Sequence, residues 1–79
     1  MSIRIISARP GFFGIEVEFA CPKGIGTFTL SDSGCVTAYG GRAWITDGVL
    51  GAVVREPVGV GVDHLRLRPD LIAEVRRLA

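Results

Sequence analysis

Phe13, Ile15, Val17 and Phe19 alternate with Gly14, Glu16 and Glu18. A period of two marks a strand with one apolar and one wet face. Turn signals punctuate the chain at Arg9-Pro10-Gly11, Cys21-Pro22-Lys23-Gly24, Asp32-Ser33-Gly34, Gly40-Gly41 and Asp47-Gly48. Turns recurring roughly every 8 to 12 residues predict many short strands, as in a meander or a small barrel.

The strand registers can be tested against one another, because a slip of one residue turns a strand inside out. With turns at 9–11, 21–24, 32–34, 40–41 and 47–48, one line across six antiparallel strands reads Ile5, Ile15, Leu30, Val36, Ile45, Leu50. Its neighbour reads Ile3, Val17, Phe28, Ala38, Ala43, Ala52, and every one of these residues is apolar. The opposite face reads Arg4, Glu16, Thr29, Thr37, Trp44, Gly51 and, beside it, Ser2, Glu18, Thr27, Tyr39, Arg42, Val53. It is largely polar and places Arg4 across from Glu16.

Segment 46–56 has two readings. A helix would start with Thr46 as its cap and Asp47 in its first turn, with Val49, Leu50, Val53 and Val54 on one face. Gly48, Gly51 and the valines favour a strand, which is the expectation adopted. After Pro57, Val58, Val60 and Val62 alternate with glycines, and Leu65 and Leu67 with Arg66 and Arg68, as in one long or broken strand. Pro69 then opens a helix with Asp70 in its first turn and Arg76 and Arg77 in its last, matching the helix dipole. Its stripe of Leu71, Ile72, Val75 and Leu78 must dock, because so short a helix is not stable alone. The expected architecture is one α+β domain over residues 1–79. It is an antiparallel meander of five to seven short strands, or a small open barrel, with the C-terminal helix on its apolar face.

Composition narrows the classes of function. The chain of 79 residues is 48% hydrophobic, with a mean hydropathy of +0.41, which argues against disorder. Its longest apolar run, Val49 to Val54, is far below the roughly 20 residues that span a bilayer. No signal peptide is visible after Met1, so a cytoplasmic setting with reduced thiols is the expectation. Nine basic against eight acidic residues leave +1, too balanced for a chain-wide attraction to nucleic acid or membrane. Cys21 and Cys35 lack CxxC spacing and, with one histidine, cannot complete a four-ligand zinc site.

Catalytic chemistry finds little purchase. There is no phosphate-binding glycine motif. Asp63 and His64 point to opposite faces of a strand and would not chelate one ion. Cys35 has no basic neighbour evident in the sequence to activate it. Glu16 and Glu18 share a face at roughly 7 Å, a spacing open to an acid/base pair, but a solvated sheet face shows the same alternation and nothing in the sequence marks a cleft. No cofactor or metal is implied.

Two surfaces remain. Tyr39, Arg42 and Trp44 project from the polar face around Gly40-Gly41, with Trp44 opposite Gly51, and these residue types dominate binding hot spots. The competing reading is that Trp44 is core, covered by 58–68. Arg66, Arg68, Arg76 and Arg77 form a basic set that fits phosphates, with aromatic stacking on bases, although Asp63, Asp70 and Glu74 interleave with them. The leading expectation is a non-enzymatic protein-interaction module (inhibitor, adaptor or small subunit) that binds a protein partner or its own copy. A small nucleic-acid-binding domain is the alternative.

Overall fold

The computed structural model describes residues 3–79, without the side chains of Ala43 and Trp44. The expected place of Ser2 on the polar face lies outside the described residues. Strands β1 (Arg4–Gly11), β2 (Gly14–Cys21), β3 (Gly24–Leu30) and β4 (Val36–Gly40) make an antiparallel sheet in that order. Helix α1 (Ala43–Gly51) follows, then a hairpin of β5 (Val53–Gly59) and β6 (Val62–Leu67), then helix α2 (Pro69–Leu78). The class is α+β with six strands, and the sheet is not closed into a barrel.

The pairing of β2 with β3 matches the expected register: Ile15 opposite Leu30, Glu16 opposite Thr29, Val17 opposite Phe28, Glu18 opposite Thr27. Leu30 opposite Val36 and Thr29 opposite Thr37 also hold. The next expected pair, Phe28 with Ala38, does not. The register shifts between Thr27 and Thr29, Thr27 lies opposite Gly40, and Ala38 takes up the extra residue at φ 46°.

The first turn is displaced from 9–11. Strand β1 continues through Pro10 to Gly11, and the chain reverses at Phe12-Phe13. An edge strand tolerates a proline because one of its sides needs no donor. Arg9, not Arg4, therefore faces Glu16, and Arg4 faces Ala20. A register shift between Ile5 and Ser7 then brings Ile5, rather than Ile6, opposite Phe19. That bulge restores Ile5 to the buried face, where a regular ladder would have turned it to solvent.

The strand expected within 46–56 is a helix over most of that length. Ile45, Val49 and Ala52 are buried at i, i+4 and i+7, one face of a helix. Of the two glycines that argued for a strand, Gly48 lies where the helix comes close to the sheet, while Gly51 is exposed. A Cβ on Gly48 would meet the Cys21 side chain at 3.2 Å, and one on Gly26 of β3 would collide with Ile45 and Phe19. Close packing thus outweighs the unfavourable helix propensity of Gly48, about 1 kcal/mol. Consequently Ile45 reaches the core from a helix, and the sheet ends at β4.

The one long or broken strand expected over 58–68 is instead the end of β5, a turn and β6. The chain reverses at Val60-Gly61, with Gly61 in the left-handed region at φ 69°. The base of this hairpin joins the body: the Leu67 N–H donates to the Gly34 carbonyl at 2.9 Å and the Arg68 N–H to the Ala52 carbonyl at 3.1 Å. Helix α2 is as expected, with Pro69 in its first turn and Leu71 and Val75 buried. It lies against β1 and closes a core whose least exposed side chains include Phe19, Phe28, Val17, Val49, Leu67 and Val75. Full burial of such side chains contributes roughly 1.5–3 kcal/mol each.

Candidate functional site

The face of the sheet opposite the core carries two cross-strand rows. One runs Ser7, Glu18, Thr27; the other runs Arg9, Glu16, Thr29, Thr37. The sequence places Glu16, Glu18 and the threonines correctly, but supplies Arg4 and Ser2 where Arg9 and Ser7 stand. Arg9 Nε donates to Glu16 Oε2 at 3.3 Å, and Thr37 Oγ1 to the Thr29 carbonyl at 3.4 Å. Register shifts in β1 and β4 flank these rows, and bulges bend and twist a sheet. Between them lies an open hollow of about 560 Å³, lined by Ser7, Arg9, Glu16, Glu18, Thr27, Thr29 and Ala38. Glu16 and Glu18 thus border a shallow hollow that the sequence did not mark. Its lining combines the Arg9 guanidinium, two carboxylates and hydroxyls that can both donate and accept, with no histidine or cysteine among the described residues.

Tyr39, Arg42 and Trp44 do not share a strand face. Tyr39 is exposed on β4. Arg42 is the N-cap residue of α1, its carbonyl accepting from the Ile45 and Thr46 N–H groups at 2.8 and 2.9 Å. Trp44 and Gly51 both belong to α1, so the expected Trp44–Gly51 opposition is replaced by a helix. The Trp44 side chain lies outside the described residues.

The four arginines are not one patch of free charge. Arg66 Nε donates to Glu56 Oε2 at 2.9 Å and its Nη1 to the Ser33 carbonyl at 2.5 Å. The hydrogen bond to Glu56, then the Glu56 charge and nearby Cys35, raise the Arg66 pKa above the usual arginine value. Arg68 Nη2 donates to Asp70 at 3.4 Å while its Nε is buried with no partner among the described residues. Arg77 grips Glu74 through two bonds of 3.1 and 2.6 Å, and the bonded carboxyl is held below the ordinary glutamate range. Arg76 has no ion pair among the described residues. The expectation that Arg66 and Arg68 share a strand is corrected, since Arg68 caps α2.

Cys35 does have a basic neighbour: it bridges to Arg66 across strands, and its own N–H donates to Ser31 Oγ at 3.1 Å. Cys21 and Cys35 are both free thiols. No group of three or more potential metal ligands occurs among the described residues. No described helix is long and apolar enough to cross a membrane.

The sequence reading missed two apolar tips. Phe12 and Phe13, 93% and 84% exposed, stack edge-to-face at 4.9 Å on the β1–β2 turn. Val58, Val60 and Val62 are exposed around the β5–β6 turn. The signal for the first was the pair of phenylalanines between Gly11 and Gly14, residues with no turn chemistry of their own.

No protein-family model matches the chain, and neither a curated protein nor a solved structure shows significant similarity to it.

Proposed function

We propose that the protein is a non-enzymatic interaction module that occupies a surface of a protein partner, or of its own copy, through the open face of its sheet and the adjoining turns. The observation that carries this reading is the display of Phe12 and Phe13 on a tight, well-paired hairpin. Exposed aromatics on a pre-ordered scaffold bind with little ordering cost and are typical anchors of interfaces. Tyr39 and Arg42, near the start of α1, stay in the proposal as a second contact region, with Trp44. The nucleic-acid alternative draws less support, because Arg66, Arg68 and Arg77 already spend their guanidinium groups on carboxylates.

The test compares the wild-type protein with Phe12→Ala/Phe13→Ala and Tyr39→Ala/Arg42→Ala variants, by pull-down from the native host and by light scattering. The expected result is a partner, or a self-association, lost in one of the two variants. A monomeric protein that retains nothing, or an identical partner set for all three, would remove the reading.

A further inference from the structure

We infer that the β1–β2 turn is the seat of a weak two-fold dimer, in which Phe12 and Phe13 of each copy enter the hollow beside the same turn of the other. The inference rests on the interaction-module reading and names the partner as a second copy of this chain. Phe12 and Phe13, 93% and 84% exposed, are the most exposed aromatic side chains among the described residues. Their edge-to-face contact at 4.9 Å joins them into one wedge. Beside the wedge lies an open hollow of about 670 Å³, lined by the two rings, Pro10, Ile15 and residues 31–33 of the β3–β4 connection. Protrusion and recess therefore belong to one patch. A two-fold contact requires this, because the same residues must supply both halves. A foreign partner would need a matching recess of its own, whereas a second copy has one by construction.

The area suffices. At these exposures the two phenylalanines offer about 350 Å² per copy, taking about 200 Å² for each. Two wedges seated in each other's hollows remove about 700 Å² from the rings. The walls that receive them bring the total past the roughly 1,000 Å² that a specific interface must clear. So small an interface makes a reversible pair rather than an obligate one. Charge does not oppose it, since each copy carries only +1. The one charged residue lining the hollow is Asp32, which is exposed, so water screens its meeting with its counterpart. A bilayer surface is the poorer occupant, because its anionic headgroups would meet Asp32 without a free cation on the hairpin to hold them. Arg9 is held by Glu16, while Arg4 and Lys23 stand at the opposite end of the strands.

Sedimentation equilibrium from about 1 μM to about 1 mM reads the pair directly. A monomer–dimer equilibrium in the micromolar range is expected for the wild-type chain. Phe12→Ser/Phe13→Ser should weaken it by at least about tenfold, the scale of lost anchor residues. Both rings are exposed in the monomer, so this variant keeps its fold, which its amide spectrum checks. Val60→Ser, on the other exposed tip, should leave the equilibrium unchanged. In a mixture of labelled and unlabelled chains, isotope-filtered NOEs should join the Phe12 and Phe13 rings of one copy to Pro10 and Ile15 of the other. A wild-type chain that stays monomeric at the highest concentration, a dimer indifferent to the phenylalanines, an equal loss from Val60→Ser, or filtered contacts centred elsewhere would each overturn the inference. Monomers that instead pellet with phosphatidylcholine vesicles through Phe12 and Phe13 would overturn the second copy in favour of a membrane. If the chain is monomeric while the pull-down still yields a partner lost with Phe12 and Phe13, this inference falls and the interaction reading stands.

Discussion

The β1–β2 and β5–β6 hairpins are built alike and used differently. Both are antiparallel, both reverse through two residues, and both raise apolar side chains at the turn. The first buries Ile5, Val17 and Phe19 on one face. In the second, residues 54–64 are all exposed, and only Leu67 at its base is buried. The difference lies in what is available to cover each. Helices α1 and α2 both contribute to the core of the four-stranded sheet, and neither lies along the outer part of the β5–β6 arm. An isolated two-stranded hairpin is marginal in water. Besides its backbone ladder the arm carries two cross-strand ion pairs, Arg55 with Asp63 at 3.8 Å and Arg66 with Glu56 at 2.9 Å. Such exposed pairs contribute little each.

The sharpest way to break this contrast is to truncate matching positions. Phe19→Ala, at 0% exposure and 5.8 Å from the Phe28 ring, should cost about 3–5 kcal/mol in denaturant unfolding. Val60→Ala should change stability by no more than about 0.5 kcal/mol. A comparable loss from both would mean that the arm is part of the cooperative core. Native-state hydrogen exchange gives a finer reading: amides of 55–63 should exchange well before those of 15–20, because the arm opens without disturbing the sheet. Equal protection would contradict the bare arm.

The smallest effect concerns α2. The Glu74 carboxyl titrates below its unfolded value because Arg77 hydrogen-bonds it. Its contribution is therefore present above the unfolded glutamate pKa and is lost as pH falls through the lower, folded one. Glu74→Gln should flatten that slight acid-side decline in a pH series of melting temperatures. An unaltered slope would show that the pair is not formed in solution.

These contrasts explain which parts of the molecule the sequence discloses. The β2–β3 register was legible because Pro22-Lys23 is strong turn chemistry between two cleanly alternating runs. Helix α2 was legible from Pro69, Asp70, Arg76 and Arg77, which mark its two ends. Helix α1 was not, since Gly48 and Gly51 speak against a helix locally, and the gain that offsets them comes from contact with Cys21 and the space above Gly26. The β1 register was hidden because Pro10-Gly11 looks like a turn and Phe12-Phe13 does not. In the candidate site, Glu16, Glu18, Thr27, Thr29 and Thr37 followed from periodicity. Ser7 and Arg9 depended on a bulge that no pattern announces, and the hairpin expected to carry Tyr39, Arg42 and Trp44 is replaced by β4 followed by α1. The alternation of valine and glycine over 58–62 identifies extended chain but cannot say whether another layer will lie on it.

Among the described residues, strand β5 pairs with no strand but β6, and it carries Pro57 opposite Asp63. A proline has no amide hydrogen to give, and glutamate and arginine beside it resist being stacked against their own kind. The valine-rich arm can thus stand in water without seeding the strand-by-strand growth that leads to fibrils.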